Sequence, residues 1–309
     1  MNRILHSQLL AIILCLSVAL LTVTGCGSSA SQNSDEPPVY SPLQVLVPEA
    51  PGKDTLGSSP LTLDVSNIRQ GYFVAQSDSS DLTCSLQIVS PSGVLYSYFV
   101  APGEEAVINF AEGNGDYTIT GYQQVQGDQY AALYSETVTV QLENDFLPFL
   151  YPNQYVNFSP DSKSSQLALS IVDENTVDVD ALQQIYDYVV SNLTYDYEKA
   201  DTVTTGYLPD LDDTLETGTG ICFDYAALTT AMLRSCDIPC KLQIGYAGDI
   251  KHAWIDVYIR SKGWVNQAVS FKGDTWTLMD PTFDSNSDDK EAIQEYIGDE
   301  SNYTVQFTR

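Results

Sequence analysis

The hydrophobic and polar positions change their period about halfway along the chain. Before residue 142, apolar and polar residues alternate in short runs, and turn signals such as Pro91-Ser92-Gly93 separate the runs. Alternation of this kind predicts half-buried β-strands. The predicted strands are residues 61–65, 71–76, 83–89, 93–100, 106–110, 116–124 and 131–142. The first half of the chain is therefore predicted to be all-β.

Seven short strands at this spacing favour a sandwich of the immunoglobulin-like type over residues 58–142. Only Cys84 lies among these strands and no tryptophan does, so the disulfide and tryptophan of antibody domains are not expected. The region also carries no group of side chains suited to catalysis. We therefore interpret it as a spacer or a binding module.

After residue 164 the pattern predicts helices mixed with strands, and hence an α+β domain over residues 164–309. The predicted helices are residues 178–193 and 223–235, and the predicted strands are residues 241–246, 252–259 and 275–280. Residues 202–215 are predicted to form a polar loop. Residues 143–163, where prolines stand among aromatic residues, are interpreted as a connector packed against a domain face.

The N-terminus predicts export and a lipid anchor. Residues 1–25 have a basic Arg3, an apolar core too short for a membrane span, and small residues at the end, as in a secretory signal. The run Val23-Thr24-Gly25-Cys26 resembles a bacterial lipobox, which implies lipidation of Cys26; an ordinary signal peptide is the alternative. Residues 26–57 are rich in Ser, Pro and acidic residues and are predicted to be a flexible tether. We expect a membrane-anchored protein on the extracellular face of the bacterial cell membrane.

The net charge and the cysteine content indicate which partners, disulfides and metals to expect. The formal net charge is −28, so nucleic acid is excluded as an expected partner. The cysteines of the body, at 84, 222, 236 and 240, are too few for a disulfide framework. Cys236 and Cys240 are interpreted as buried thiols, with a local disulfide as the alternative, because no second Cys/His pair completes a zinc site. The acidic run 284–295 lacks the glycine of a calcium loop, so no metal is predicted.

One cysteine, one histidine and one aspartate form a candidate catalytic set. Cys222 follows Gly218 and Gly220 and precedes the predicted helix, where the helix dipole favours a thiolate and free N–H groups can hold an oxyanion. The chain has two histidines, and one of them lies in the predicted signal, so His252 is the available imidazole. Asp280 follows at the end of a predicted strand. This is the residue set of nucleophilic thiol catalysis.

The strand pattern predicts how the histidine and the aspartate meet. In residues 252–259 the odd-numbered positions face a core, whereas His252 and Trp254 face the other way. A strand 275–280 running antiparallel beside it would bring Asp280 to His252. This geometry requires residues 261–273 to be an excursion and not a strand that reverses the order.

Three motifs in this region resemble those of a known superfamily. They are Gly220-x-Cys222-x-Asp224-Tyr225-Ala226 with Ile238-Pro239 after it, then His252-Ala253-Trp254, then Asp280-Pro281-Thr282. In this order they resemble the transglutaminase-like superfamily of papain-like fold, over about residues 178–283. The resemblance implies a triad of Cys222, His252 and Asp280 and a cysteine helix packed against an antiparallel sheet. We expect no cofactor.

Three further residues are candidates for the same site. Tyr195 is the candidate oxyanion donor, and backbone N–H groups alone are the alternative. Trp254 is a candidate wall of the substrate cleft, with a place in the core as the alternative. Asp224 is assigned to the cleft at the start of the helix, as a capping or orienting residue and not as the catalytic acid.

These roles predict acyl transfer through a thioester on a peptide or protein substrate. Cys222 would attack an amide carbonyl, His252 would protonate the leaving amine, and Asp280 would fix the imidazole tautomer. Water would complete hydrolysis, as in a cysteine peptidase or amidase, whereas an amine would complete transamidation; the residues leave this choice open. The alternative from another class is a non-catalytic surface adhesion or scaffold protein, and the intact set of three residues favours the enzyme.

Overall fold

The structure is a computed structural model that describes residues 44–266, 269–272, 275–278 and 303–309. All of these residues belong to one unit, Pro37–Arg309. None of the helices in the described ranges combines the length and the apolar character needed to cross a membrane.

Two four-stranded sheets share one hydrophobic core in the first half of the chain. Their strands are β1 Thr55–Ser58, β2 Leu61–Asp64, β3 Tyr72–Ser77, β4 Cys84–Val89, β5 Leu95–Val100, β6 Glu105–Asn109, β7 Gly115–Gln126 and β8 Gln129–Val140. The strand orders are β1-β2-β3-β6 and β5-β4-β7-β8, and every pairing is antiparallel. Alternate residues such as Leu63, Phe73, Leu86 and Ile119 fill the space between the sheets because successive side chains point to opposite faces.

Each of the seven predicted runs lies on one of these strands, and β1 is an additional strand. β1 pairs with β2, and Val45 is already buried against the helical core further along the chain. The part of the predicted tether from residue 44 onward therefore lies on the folded body. The apolar residues Val45 and Leu46 pack against buried clusters, and the pairing of β1 with β2 holds the end of the segment. The more specific immunoglobulin-like assignment stays a prediction.

Helices and a second antiparallel sheet form the other half. The helices are α1 Lys163–Ile171, α2 Asp178–Asn192, α3 Tyr197–Thr202, α4 Leu211–Thr217 and α5 Cys222–Ser235, with short 3-10 turns at Ile68–Gln70 and Leu147–Phe149. The strands are β9 Thr194–Tyr195, β10 Thr219–Gly220, β11 Cys240–Ala247, β12 Ile250–Ile259, β13 Gly263–Val265, β14 Val269–Lys272, β15 Thr275–Leu278 and β16 Tyr303–Thr308. The main sheet has the order β13-β12-β11-β16, whereas β9 with β10 and β14 with β15 form two-stranded sheets.

Helix α5 is the centre of the second core. Its residues Tyr225, Leu228 and Met232 are fully buried, together with Leu242 of β11 and Ile255 of β12. Complete burial of one such apolar side chain contributes about 1.5–3 kcal/mol. The helix that begins at Cys222 is therefore fixed firmly against the sheet that carries His252.

Two sequence predictions in this half differ from the structure. The predicted loop 202–215 contains the start of α4, because the Asp210 carboxylate accepts a hydrogen bond from the Asp213 N–H (3.0 Å) and acidic residues favour a first helical turn. The predicted strand 275–280 is present as β15, but its described partner is β14 and not the strand of His252. Residues 261–273 were expected to be an excursion, but they contain β13, which pairs with β12, and β14, which pairs with β15.

The predicted connector 143–163 packs against the second half. The ring of Phe146 lies 4.2 Å from that of Tyr258, and Phe149 contacts Trp264 edge-on at 5.3 Å. A buried guanidinium adds to this attachment: Arg234 of α5 donates to the main-chain oxygen of Tyr151 (2.8 Å) and also to those of Cys240 and Arg309. Burial lowers the pKa of Arg234 to about 10, so the side chain stays charged at neutral pH.

Candidate active site

The turn before α5 places Cys222 at the first residue of the helix. Gly218 ends α4 in the left-handed conformation (φ 63°), and Ile221 is the extended residue that precedes the helix. The Asp224 carboxylate accepts a hydrogen bond from the Ile221 N–H at 2.8 Å, which is half of a capping box. Gly220 permits this contact, since a Cβ at that position would lie 2.7 Å from Cβ of Asp224.

Asp224 is the centre of a buried polar cluster. The Tyr207 hydroxyl donates to its Oδ1 (2.5 Å) and the Lys199 ammonium pairs with its Oδ2 (2.8 Å). Burial and the hydrogen bond to Asp224 raise the pKa of Tyr207 to about 12. Burial disfavours the charged form of Lys199, but the bonds to Asp224 and Tyr207 outweigh it and raise the pKa of Lys199. This cluster ties the segment that carries Tyr207 to the start of the cysteine helix.

His252 lies near the start of β12, opposite Gly245 of β11. Its side chain is 6% exposed, and its ring stacks on that of Trp254 with an interplanar angle of 17°. Gly245 has no room for a side chain, since a Cβ there would overlap the Thr304 carbonyl oxygen of β16 and approach the Trp254 ring. The close packing of β11 on β16 therefore fixes the part of the sheet that holds the histidine.

Cys222 and His252 line the same cavity, which has a volume of about 450 Å³. Tyr195 and Tyr207 line it as well. The opposite wall comes from the sandwich, where β5 is an edge strand. Tyr155 donates to the carbonyl oxygen of Ser97 on that edge (3.2 Å). The cavity thus lies between the cysteine helix and the first half of the chain.

Tyr195 reaches the cavity because β9 pairs in parallel with β10, directly before Cys222. The Asp196 N–H donates to the Gly220 carbonyl oxygen at 2.9 Å, and Tyr195 stands opposite Gly220. The strand pairing therefore places Tyr195, the predicted oxyanion residue, beside Gly220, which is two residues before Cys222. A hydroxyl at this site and the N–H groups of the helix start can together face a developing oxyanion.

Trp254 and Asp224, which were predicted to belong to the substrate cleft, do not line the cavity. Trp254 is 2% exposed, lies beside His252 and packs edge-on against Tyr303 at 5.1 Å; it is not among the residues that line the cavity. Asp224 is 0% exposed; it bonds to the Ile221 N–H at the helix start and does not line the cavity. Asp280 and Cys26 lie outside the described residues, as does the acidic run 284–295.

The remaining cysteines differ from Cys222 in accessibility. Cys84, Cys236 and Cys240 are buried free thiols, whereas Cys222 is partly exposed. Burial raises the pKa of Cys236 and that of Cys240 to about 12. A thiol reagent acting on the folded protein should therefore reach Cys222 first. The described residues contain no group of three metal-ligating side chains.

Sequence reasoning missed two charged residues of the cavity, Lys251 and Arg309, and Arg309 is the buried one. It follows β16, and its guanidinium lies 4.4–5.3 Å from the centroids of four aromatic rings. No local pattern around residue 309 indicates this position, because the rings of Tyr96, Tyr98 and Tyr155 come from distant parts of the chain.

Comparison with known proteins identifies the class of the second half. Residues 165–281 match the family model described as the transglutaminase-like superfamily. The chain therefore contains a transglutaminase-like domain, with Cys222 and His252 inside the matched residues. A search of the curated proteins found no match.

Several solved structures resemble the chain weakly. One is a candidate cysteine protease from Cytophaga hutchinsonii, with 19% identity over 69% of this chain and 74% of that one and a TM-score of 0.34. The periplasmic domain of TgpA from Pseudomonas aeruginosa has 14% identity over 71% and 93%, with a TM-score of 0.35. Red sea bream transglutaminase has 15% identity over 71% of this chain and 49% of that one, with a TM-score of 0.28. Similarity this low carries no argument about residues or substrates.

Proposed function

We propose that the protein is a cysteine acyl-transfer enzyme that acts on peptide or glutamine amides. The observation that carries the proposal is the shared cavity of Cys222, at the start of a buried helix, and His252. A nucleophile and a base in one cavity, with N–H groups at a helix start that can donate to the carbonyl oxygen, are the parts that acyl transfer needs.

In the proposed reaction the Cys222 thiolate attacks the amide carbonyl, and the carbonyl oxygen becomes an oxyanion. The helix N–H groups and Tyr195 stabilise that oxyanion. The C–N bond then breaks, the amine leaves with a proton from His252, and a thioester remains on Cys222. Water or a second amine then attacks the thioester carbonyl and gives a proton to His252, and the C–S bond breaks to release the product and return Cys222 as the thiolate. We assign Asp280 the role of orienting the imidazole.

A product assay tests the proposal and separates its two outcomes. A glutamine peptide is incubated with the protein, with and without a primary amine, and the products are read by mass. Formation of the acid indicates hydrolysis, and formation of the amine adduct indicates transamidation. Either product should disappear in Cys222→Ala, while Cys236→Ala should retain activity because that thiol is buried away from the cavity. Equal product in Cys222→Ala would refute the proposal and favour the scaffold alternative.

We also propose that the protein is anchored by lipid on Cys26 at the extracellular face of the membrane. The lipobox-like run and the polar residues after it support this location. Metabolic labelling with an alkyne fatty acid tests it. The label should be lost in Cys26→Ser, with the protein released into the medium, and retention of the label would contradict the anchor.

We further propose that the N-terminal sandwich is immunoglobulin-like. The strand orders β1-β2-β3-β6 and β5-β4-β7-β8 support this, as does a contact of Tyr117 near the start of β7. Its hydroxyl donates to the Gly113 carbonyl oxygen at 2.9 Å, which is the bond of a tyrosine corner. An experimental structure of the protein tests the assignment, and a different strand order in the first half would contradict it.

A further inference from the structure

The described residues that line the cavity carry a net charge opposite to that of the protein. The chain has 41 acidic and 13 basic residues, yet the described residues that line the cavity include Lys251, His252 and Arg309 and no Asp or Glu. Most of the other lining side chains are apolar or aromatic. A cavity lined by one sign of charge with low-dielectric walls attracts the opposite charge.

Arg309 is the most deeply buried member of this group, with 3% exposure. Its Nη1 donates to the Tyr98 hydroxyl at 2.9 Å, while Nε is buried with no hydrogen-bond partner in the described part of the chain. None of the ion pairs between described residues includes Arg309. A buried guanidinium without a carboxylate is costly, and cation–π contacts offset only part of that cost.

Arg234 shows what a purely structural arginine looks like in this protein. It is buried to a similar degree, but its Nε, Nη1 and Nη2 all donate to main-chain oxygens. Arg309 carries the same guanidinium group and lines the cavity, but its Nε has no hydrogen-bond acceptor among the described residues. The contrast indicates that Arg309 can donate a further hydrogen bond to a molecule that binds in the cavity.

We propose that Arg309 is a specificity residue that binds a carboxylate of the substrate peptide, so that the enzyme prefers anionic substrates. The inference rests on the proposed function. A carboxylate fits because a guanidinium donates to it through two parallel N–H groups and a peptide brings such groups with it. The carboxylate is either the terminal one or that of a Glu or Asp side chain, and the test separates these sources.

The first test uses the unmodified protein and three peptides with the same scissile amide. One ends in a free acid, one ends in an amide, and one ends in an amide but has Glu in place of a neutral Ala away from the scissile bond. We expect kcat/KM for one of the two anionic peptides to exceed that of the neutral peptide by about ten- to hundredfold, as for a hydrogen bond to a charged group. The anionic peptide whose kcat/KM exceeds that of the neutral peptide identifies which carboxylate Arg309 binds. Equal values for all three would overturn the proposal.

Variants then assign the preference to Arg309. Arg309→Met should abolish the ratio between anionic and neutral peptides, and Arg309→Lys should restore it only in part because lysine lacks the planar fork. Lys53→Met removes one exposed positive charge outside the cavity and should leave the ratio unchanged. Loss of the ratio in Lys53→Met, or its retention in folded Arg309→Met, would overturn the assignment.

Alkylation of Cys222 tests the same inference without any turnover. Iodoacetate and iodoacetamide alkylate a thiol by the same displacement of iodide and differ in their carboxylate. The rate ratio of iodoacetate to iodoacetamide at Cys222, divided by the same ratio for free cysteine, should exceed one and fall in Arg309→Met. A normalised ratio at or below one would overturn the carboxylate site. Absence of peptide products alongside a high ratio would instead refute only the proposed reaction.

Discussion

Removal of the Asp224 carboxylate is the substitution whose cost follows most directly from the structure. The side chain is fully buried and takes three partners: the Ile221 N–H, the Tyr207 hydroxyl and the Lys199 ammonium. In Asp224→Ala the tyrosine hydroxyl and the ammonium lose their acceptor, and the helix loses its cap. All three losses occur directly beside Cys222.

The expected loss of unfolding free energy in Asp224→Ala is the sum of three contributions. Loss of a helix cap costs about 1 kcal/mol. A hydrogen bond to a charged group contributes about 1.5–3 kcal/mol, which applies to Tyr207. Lys199 is about a quarter exposed, so water replaces part of its ion pair and its share is the smallest. We therefore expect Asp224→Ala to lower the free energy of unfolding by about 3–5 kcal/mol.

Urea denaturation followed by circular dichroism measures this loss, and Asp210→Ala is the matched control. Asp210 caps α4 through a single bond, to the Asp213 N–H, and is exposed, so its loss should cost only about 1 kcal/mol. Alkylation of Cys222 should also slow in Asp224→Ala, since the helix start is no longer fixed. A loss below about 1 kcal/mol with unchanged alkylation would refute the role given to Asp224.

Three further predictions follow from other parts of the fold. Gly245→Ala should abolish folding or lower the free energy of unfolding by more than about 3 kcal/mol, because the new Cβ overlaps the Thr304 carbonyl oxygen. Thermal melting measures the effect, and an unchanged Tm would contradict this. Arg234→Met should cost more than about 3 kcal/mol in urea, since it removes four hydrogen bonds to buried main-chain oxygens, and a smaller loss would contradict their importance. The free energy of unfolding should fall as pH rises from about 9 to about 12, because Cys236 and Cys240 hold their protons to higher pH when folded than when unfolded; stability that stays constant over this window would contradict the burial.

Local patterns were sufficient for much of the fold. The alternation of residues 61–142 predicted seven of the eight strands of the first half, and helical spacing predicted α2 within one residue at its end. The glycines around residue 220 indicated the turn that places Cys222 at a helix start. These features depend on neighbours in sequence, which is why the sequence alone reveals them.

Long-range pairing explains what the sequence did not reveal. Tyr303, Val305 and Phe307 alternate with polar residues, but their partner strand β11 lies far earlier in the chain. Trp254 was assigned to the cleft because it alternates away from the core, yet β16 brings Tyr303 against it. Arg309 gains its position from the same strand. Where the chain returns to a sheet after a long excursion, no local period indicates which face it will cover.

The central claim is that His252 makes the Cys222 sulfur a nucleophile, and alkylation kinetics test it most directly. The rate of iodoacetamide modification at Cys222 is measured by mass at neutral pH for the wild type and for His252→Ala, with Cys222→Ala to assign the site. The proposed pairing predicts a wild-type rate about tenfold or more above that of His252→Ala. Equal rates in the two proteins, with both folded, would contradict it.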